Sequence, residues 1–196
     1  MFRMPPATQA LILACVLAFC GQSFLDLDSL ALWPLGSGEF QPWQIVTYAF
    51  LHGNLSHLVF NMFGLYMFGA DLERTWGTRR LLAFYGVSVL FAAFAQLAVS
   101  MLSGSMAPTV GASGGLFGLL LGFAMLFPNR KIIPLIPPIP MPAWLYVLLY
   151  GLIELGLGVT GSMSGVAHFA HLGGILGGWL TIRYWRGQAP FSSGRR

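Results

Sequence analysis

The sequence predicts an all-α membrane protein: six transmembrane helices with a membrane-associated first external loop. Three observations carry that prediction. The chain has 196 residues, of which 56% are hydrophobic and only 8% charged, whereas soluble chains carry roughly 25% charged residues. Its apolar stretches are long and rich in glycine, as in helices that pack in lipid. All ten Lys and Arg fall in alternate connections between those stretches, the asymmetry that orients a protein in a bilayer.

The segments span about 7–24, 54–73, 80–102, 113–128, 142–160 and 166–185. A spanning helix needs ~17–25 residues, so only the fourth is short. The first follows Arg3, and Leu17-Ala-Phe-Cys20 faintly resembles a lipoprotein cleavage box. Phe19 is too large for the residue before such a cysteine, so the segment is expected to be retained. Cys15 and Cys20, on different faces of that helix, are expected to be ordinary apolar packing. The loop that follows holds Asp26, Asp28 and Glu39, with Trp33-Pro-Leu-Gly36 and Gln41-Pro-Trp43 suited to a membrane interface. Arg74, Arg79 and Arg80 follow the second segment, Arg130 and Lys131 the fourth, and Arg183, Arg186, Arg195 and Arg196 close the sixth. With Arg3 they share one face, which the positive-inside rule makes cytoplasmic, with both termini inside. The net charge of +4 is spread over this face rather than over a soluble module, which excludes a nucleic-acid partner.

Ser113, in Gly111-Ala-Ser-Gly114, opens the fourth segment, and His171, in Ala170-His-Leu-Gly-Gly174, lies near the outer end of the sixth. Polar groups at membrane depth are costly and either pair or do chemistry. A serine and a histidine supply an alcohol and the base that activates it. Ser113 to Arg130 spans roughly 25 Å of helix and His171 to Arg183 or Arg186 roughly 18–22 Å, at ~1.5 Å per residue, so the two lie at one depth. Gly114, Gly118 and Gly122 repeat every four residues on the fourth segment, and Gly173, Gly174, Gly177 and Gly178 line the sixth. Such small-residue faces let helices approach closely. Packed side by side, they describe a serine hydrolase inside a bilayer. Gly111-Ala-Ser113-Gly-Gly115 also matches the G-x-S-x-G elbow of soluble α/β-hydrolases, but that motif needs a preceding strand and a parallel sheet, which this chain does not offer.

The second segment carries His52, His57 and Asn61. His57 and Asn61 are i, i+4 neighbours and face the same way. Their N–H groups suit an oxyanion, while His52 is expected to hold down a loop.

Together these pieces resemble the rhomboid family of intramembrane serine proteases over roughly residues 45–185. The resemblance rests on His52…His57-Leu-Val-Phe-Asn61, Gly69-Ala-Asp-Leu-Glu73-Arg-Thr-Trp-Gly77, Gly111-Ala-Ser-Gly114 and Ala170-His-Leu-Gly-Gly174 with Gly178. It implies a six-helix rhomboid-like bundle forming one domain over 1–196. The catalytic pair is then Ser113 and His171, with His57, Asn61 and the backbone N–H of Ser113, joined by that of Ala112, at the oxyanion. It implies no cofactor and no metal. Its partners are transmembrane protein substrates and the lipid bilayer, and its site is a bacterial inner (plasma) membrane with the active site toward the periplasm. His168 competes for the base, but glycine lies three and seven residues after His171, not after His168. His168 is left as a neighbour that orients substrate or donates a hydrogen bond. Phe117 stands where some relatives place a tyrosine; it can stack on the imidazole but cannot donate. Glu154 is the only carboxylate well inside a span. It could accept from an imidazole, but the resemblance implies a Ser–His dyad with no acid, and Glu154 is read as neutral or paired with a neighbouring helix. Glu73 is expected to be a structural anchor. Two rivals are a non-catalytic rhomboid-like scaffold that binds membrane helices, and a metal or haem protein lined by His52, His57, His168 and His171.

Overall fold

The computed structural model describes residues 4–134, 137–161 and 167–190. Arg3, Arg195 and Arg196 lie outside the described residues, as does the start of the sixth segment at 166. Helices form in each of the six expected apolar segments, the second of them in three consecutive pieces. Helix α1 runs Pro6–Gly21, and a short α2, Gln44–Thr47, sits in the first loop. Helix α3, Leu55–Gly64, continues through a π-helical turn, Leu65–Gly69, into α4, Ala70–Trp76. Then follow α5 (Thr78–Ser103), α6 (Ser113–Leu126), α7 (Ala143–Thr160) and α8 (His168–Trp185). Helices α5 and α7 are long and apolar enough to cross a membrane, while α1 and α6 are apolar but shorter. A pair of two-residue antiparallel strands, β1 (Lys131–Ile132) and β2 (Met141–Pro142), lies between α6 and α7.

The boundaries have local causes. Asn54 caps α3, its side chain accepting from the His57 N–H at 2.8 Å, as N-cap residues do. Gly104 and Gly161 end α5 and α7 in the left-handed region that glycine tolerates. Helix α6 stops at Leu126, two residues short of the expected end, because Phe127 precedes Pro128 and is steered out of helical geometry.

The glycine faces pack as their spacing requires. Helix α8 crosses α6 with Gly174 against the Gly114 carbonyl, and Gly178 3.3 Å from the Gly118 Cα as measured from where its Cβ would stand. Its other pair, Gly173 and Gly177, lies on α5 against Phe91 and Ala92. Helix α1 is fixed by Glu73, whose carboxylate accepts from the Ala7 and Thr8 N–H groups at 2.8 and 2.7 Å and from the Thr8 hydroxyl at 2.8 Å. Cys15 is buried in the core and Cys20 exposed, both as free thiols.

The two ends of the bundle differ. At one, Asp71 bridges Arg74 at 3.0 Å and Arg130 at 2.8 Å, and Arg80 lies over Trp185. At the other, the first loop is an ordered structure. Leu32 and Thr109 exchange backbone hydrogen bonds, and the buried Gln44 amide binds the carbonyls of Ser29 and Glu39. Trp43, Phe24 and Leu25 remain exposed on it.

Candidate active site

Ser113 is the first residue of α6, presented by a loop with no strand before it, so the soluble-hydrolase elbow does not form. Gly111 makes the turn with φ of 129°. A Cβ there would meet the His57 ring at 2.7 Å and the Ser113 hydroxyl oxygen at 3.6 Å. The missing side chain is therefore what lets imidazole and alcohol gather around one point. Gly111 is also held by its N–H, which donates to the Tyr48 carbonyl at 3.0 Å.

His171 lies in the first turn of α8 and is buried. Its Nε2 stands 2.8 Å from Ser113 Oγ, joining α6 to α8. Phe117, one turn beyond Ser113, stacks on the His171 ring at 4.3 Å and 9°, an arrangement that fixes the imidazole plane without donating a hydrogen bond.

A carboxylate stands beside this imidazole, although the resemblance implied a catalytic pair without an acid. Glu154 on α7 accepts with one oxygen, Oε2, from His171 Nδ1 at 2.8 Å and from His168 Nδ1 at 2.7 Å. Pairing with a neighbouring helix was foreseen, as was an imidazole for a partner; that two imidazoles share one oxygen was not. The signal was present, because a lone carboxylate in an apolar helix needs a partner, and two histidines sit on the next helix. His168 thus does not face Ser113: it backs the carboxylate, and its Nε2 is buried without a partner.

The second segment divides. His52 is held as a loop anchor: its N–H donates to Gln22 Oε1 at 3.1 Å, and its Nδ1 lies 3.2 Å from the Phe50 carbonyl. Its ring meets that of His57 edge-on at 5.1 Å. Asn61 is buried, and its Nδ2 donates to the His57 carbonyl at 2.8 Å. One of its two amide hydrogens is therefore spent within its own helix, and its unpartnered atom is the acceptor Oδ1. That amide is not aimed at the serine as freely as i, i+4 spacing suggested.

The ligand-type atoms of Glu154, His168 and His171 lie within 4.8 Å of one another. Zinc ligands at 2.0–2.1 Å from a tetrahedral ion stand roughly 3.3 Å apart, and the 2.7 and 2.8 Å separations here are those of hydrogen bonds. A carboxylate does join two of the histidines, but His52 and His57 form a separate pair.

An alcohol and an imidazole thus stand in hydrogen-bonding contact within a glycine-packed helical bundle. The family profile described as Rhomboid domain matches residues 39–187, and the chain belongs to the rhomboid family, whose members are integral membrane proteins. It is 33% identical over 145 residues to Rhomboid protein 1, mitochondrial, of Saccharomyces cerevisiae, covering 71% of this chain and 42% of that one. RHOMBOID-like protein 4 of Arabidopsis thaliana is 33% identical over 149 residues, covering 70% and 32%. Rhomboid protease GlpG of Serratia proteamaculans is 28% identical over 188 residues, covering 92% and 62%. The chain thus spans less than two thirds of the length of each of these relatives.

Proposed function

We propose that this protein is an intramembrane serine endopeptidase, a single domain whose six long helical segments cross the bilayer, and that it cleaves transmembrane segments of other membrane proteins. The observation that carries this reading is the 2.8 Å contact between Ser113 Oγ and His171 Nε2.

His171 takes the Ser113 proton as Oγ attacks the scissile carbonyl. The tetrahedral oxyanion forms at the N-terminus of α6, where the first backbone N–H groups have no intrahelical partner. The Ser113 N–H and the His57 ring N–H stabilise it, with the remaining amide hydrogen of Asn61 in support; each donor in a dry site contributes about 3–4 kcal/mol. His171 then passes its proton to the leaving amine. Water attacks the acyl-enzyme, giving its proton to His171, which returns it to Ser113 Oγ.

A helical substrate hides its carbonyls in i→i−4 bonds and must unwind first, so Gly or Pro near the cut favours cleavage. An apolar cavity of about 360 Å³ between α3 and α7, lined by Phe60, Phe63, Tyr146 and Tyr150, reaches Phe117 beside the imidazole. It offers an unwound segment a route from the lipid. The basic end is assigned to the cytoplasm of a bacterial plasma membrane and the site to its outer side.

Reconstituted protein is expected to cleave a model transmembrane substrate and to react with a serine-directed fluorophosphonate. Ser113→Ala and His171→Ala should abolish both while folding is retained. Full cleavage by Ser113→Ala would overturn the assignment.

A further inference from the structure

We infer that Glu154 is a positioning residue for His171 and that His168 holds Glu154 in place, so that the working unit runs His168–Glu154–His171–Ser113 across three helices. The inference rests on the assignment of Ser113 and His171 as the catalytic pair.

Helix α7 buries only Ala143, Val147 and Glu154 among its residues. A carboxylate in such a helix is costly unless its oxygens are satisfied, and here both imidazoles meet the same oxygen, at 2.7 and 2.8 Å. An ionised carboxylate only accepts hydrogen bonds, so each Nδ1 carries its proton toward Oε2. The tautomer of His171 follows. With Nδ1 protonated, its Nε2 keeps the lone pair, and that nitrogen faces Ser113 Oγ. An imidazole with no such partner also populates the opposite tautomer, in which Nε2–H has nothing to offer a serine proton. The Phe117 stack at 4.3 Å fixes the plane of the ring but not which nitrogen bears hydrogen. Glu154 settles that, and its charge stabilises the imidazolium formed as the serine attacks.

His168 completes the device. Its Nδ1 saturates the second lone-pair direction of Oε2, while its Nε2, buried and unpartnered, suits a neutral ring with no second proton to place. Removing His168 leaves the carboxylate free to turn away from His171.

The protonation pattern of the wild-type protein gives the first test. In protein labelled with ¹⁵N-histidine, His168 and His171 are expected to be protonated at Nδ1 and bare at Nε2; His171 protonated at Nε2 would overturn the inference. Glu154→Gln keeps the volume and removes the charge. It should lower kcat by about 100-fold or more, against about 10⁴-fold for loss of tautomer control by the orienting acid in soluble serine proteases. KM should be unchanged, and Ser113 labelling should slow in proportion. His168→Ala should lower kcat by a smaller factor, and His168→Asn, which still offers an N–H, should restore it. A folded Glu154→Gln with wild-type kcat, or one altered only in KM and melting temperature, would overturn the inference, as would stoichiometric zinc in the purified protein. Activity in Ser113→Ala would instead remove the catalytic pair itself, so the two failures are distinguishable.

Discussion

A methyl group at Gly174 would fall on the Gly114 carbonyl oxygen, and backbone cannot step aside as a flexible side chain does. Gly174→Ala is therefore expected to spread α6 from α8 at the level of the site. Overpacking of this kind costs about 1–3 kcal/mol, and the Ser113–His171 contact stretches with it. Cleavage should fall further than detergent-unfolding stability does; equal, small losses in both would show that the helices reseat around the methyl. Phe117 makes a milder case. Ring stacking contributes about 0.5–1.5 kcal/mol, so Phe117→Ala should lower kcat by up to about tenfold, while Phe117→Tyr stays near wild type. At this scale the sequence was informative where spacing encodes a face: glycine at three and seven residues after His171 marked it over His168. It was less specific where facing depends on a helix pair: a lone carboxylate called for a partner, but not for His171, 17 residues away on α8. The spent amide hydrogen of Asn61 was equally hidden, since i, i+4 spacing says which face a side chain shares but not to which acceptor it turns.

Among the elements, α1 depends on a residue it does not contain. Its N-cap, Pro5, makes no side-chain hydrogen bond, and the orphan N–H groups of the first turn find the Glu73 carboxylate instead. Hydrogen bonds to a charged group contribute about 1.5–3 kcal/mol each, so Glu73→Ala should detach the start of α1. The expected readout is a lower thermal midpoint in detergent and faster hydrogen exchange confined to the first turn of α1. Unchanged exchange there would show that apolar packing of Leu11 and Cys15 is enough. The Glu73 anchor was legible as a carboxylate at a helix end, though its partner was not: Arg74 pairs with Asp71. The π-helical turn at Leu65–Gly69 had no sequence signal beyond the glycines that bound it. The short α6, by contrast, was written in Phe127-Pro128.

For the molecule as a whole, the ten basic residues gave an orientation that the proposed mechanism uses, with catalysis at the end opposite the Asp71–Arg130 bridge. Reporter fusions test it. A fusion after residue 190 is expected on the cytoplasmic side and an insertion at Ser105 outside; the reverse would invert the topology and place the site on the other face. The helical segments were legible because long apolar runs bounded by polar and glycine-rich connections show in composition alone. The folded first loop was not, because Gln44 organises it through carbonyl contacts that no periodicity encodes.

Helix α7 exposes half of its residues and keeps Glu154 as its one buried polar group. The helix that carries the carboxylate thus has few buried side chains of its own. An acyl-chain length that shifts α7 by an ångström would lengthen the Glu154 contact before it disturbed α6 or α8. Turnover in vesicles of graded thickness should therefore peak at one chain length in the wild type and vary far less in Glu154→Ala, making the protein a gauge of the bilayer around it.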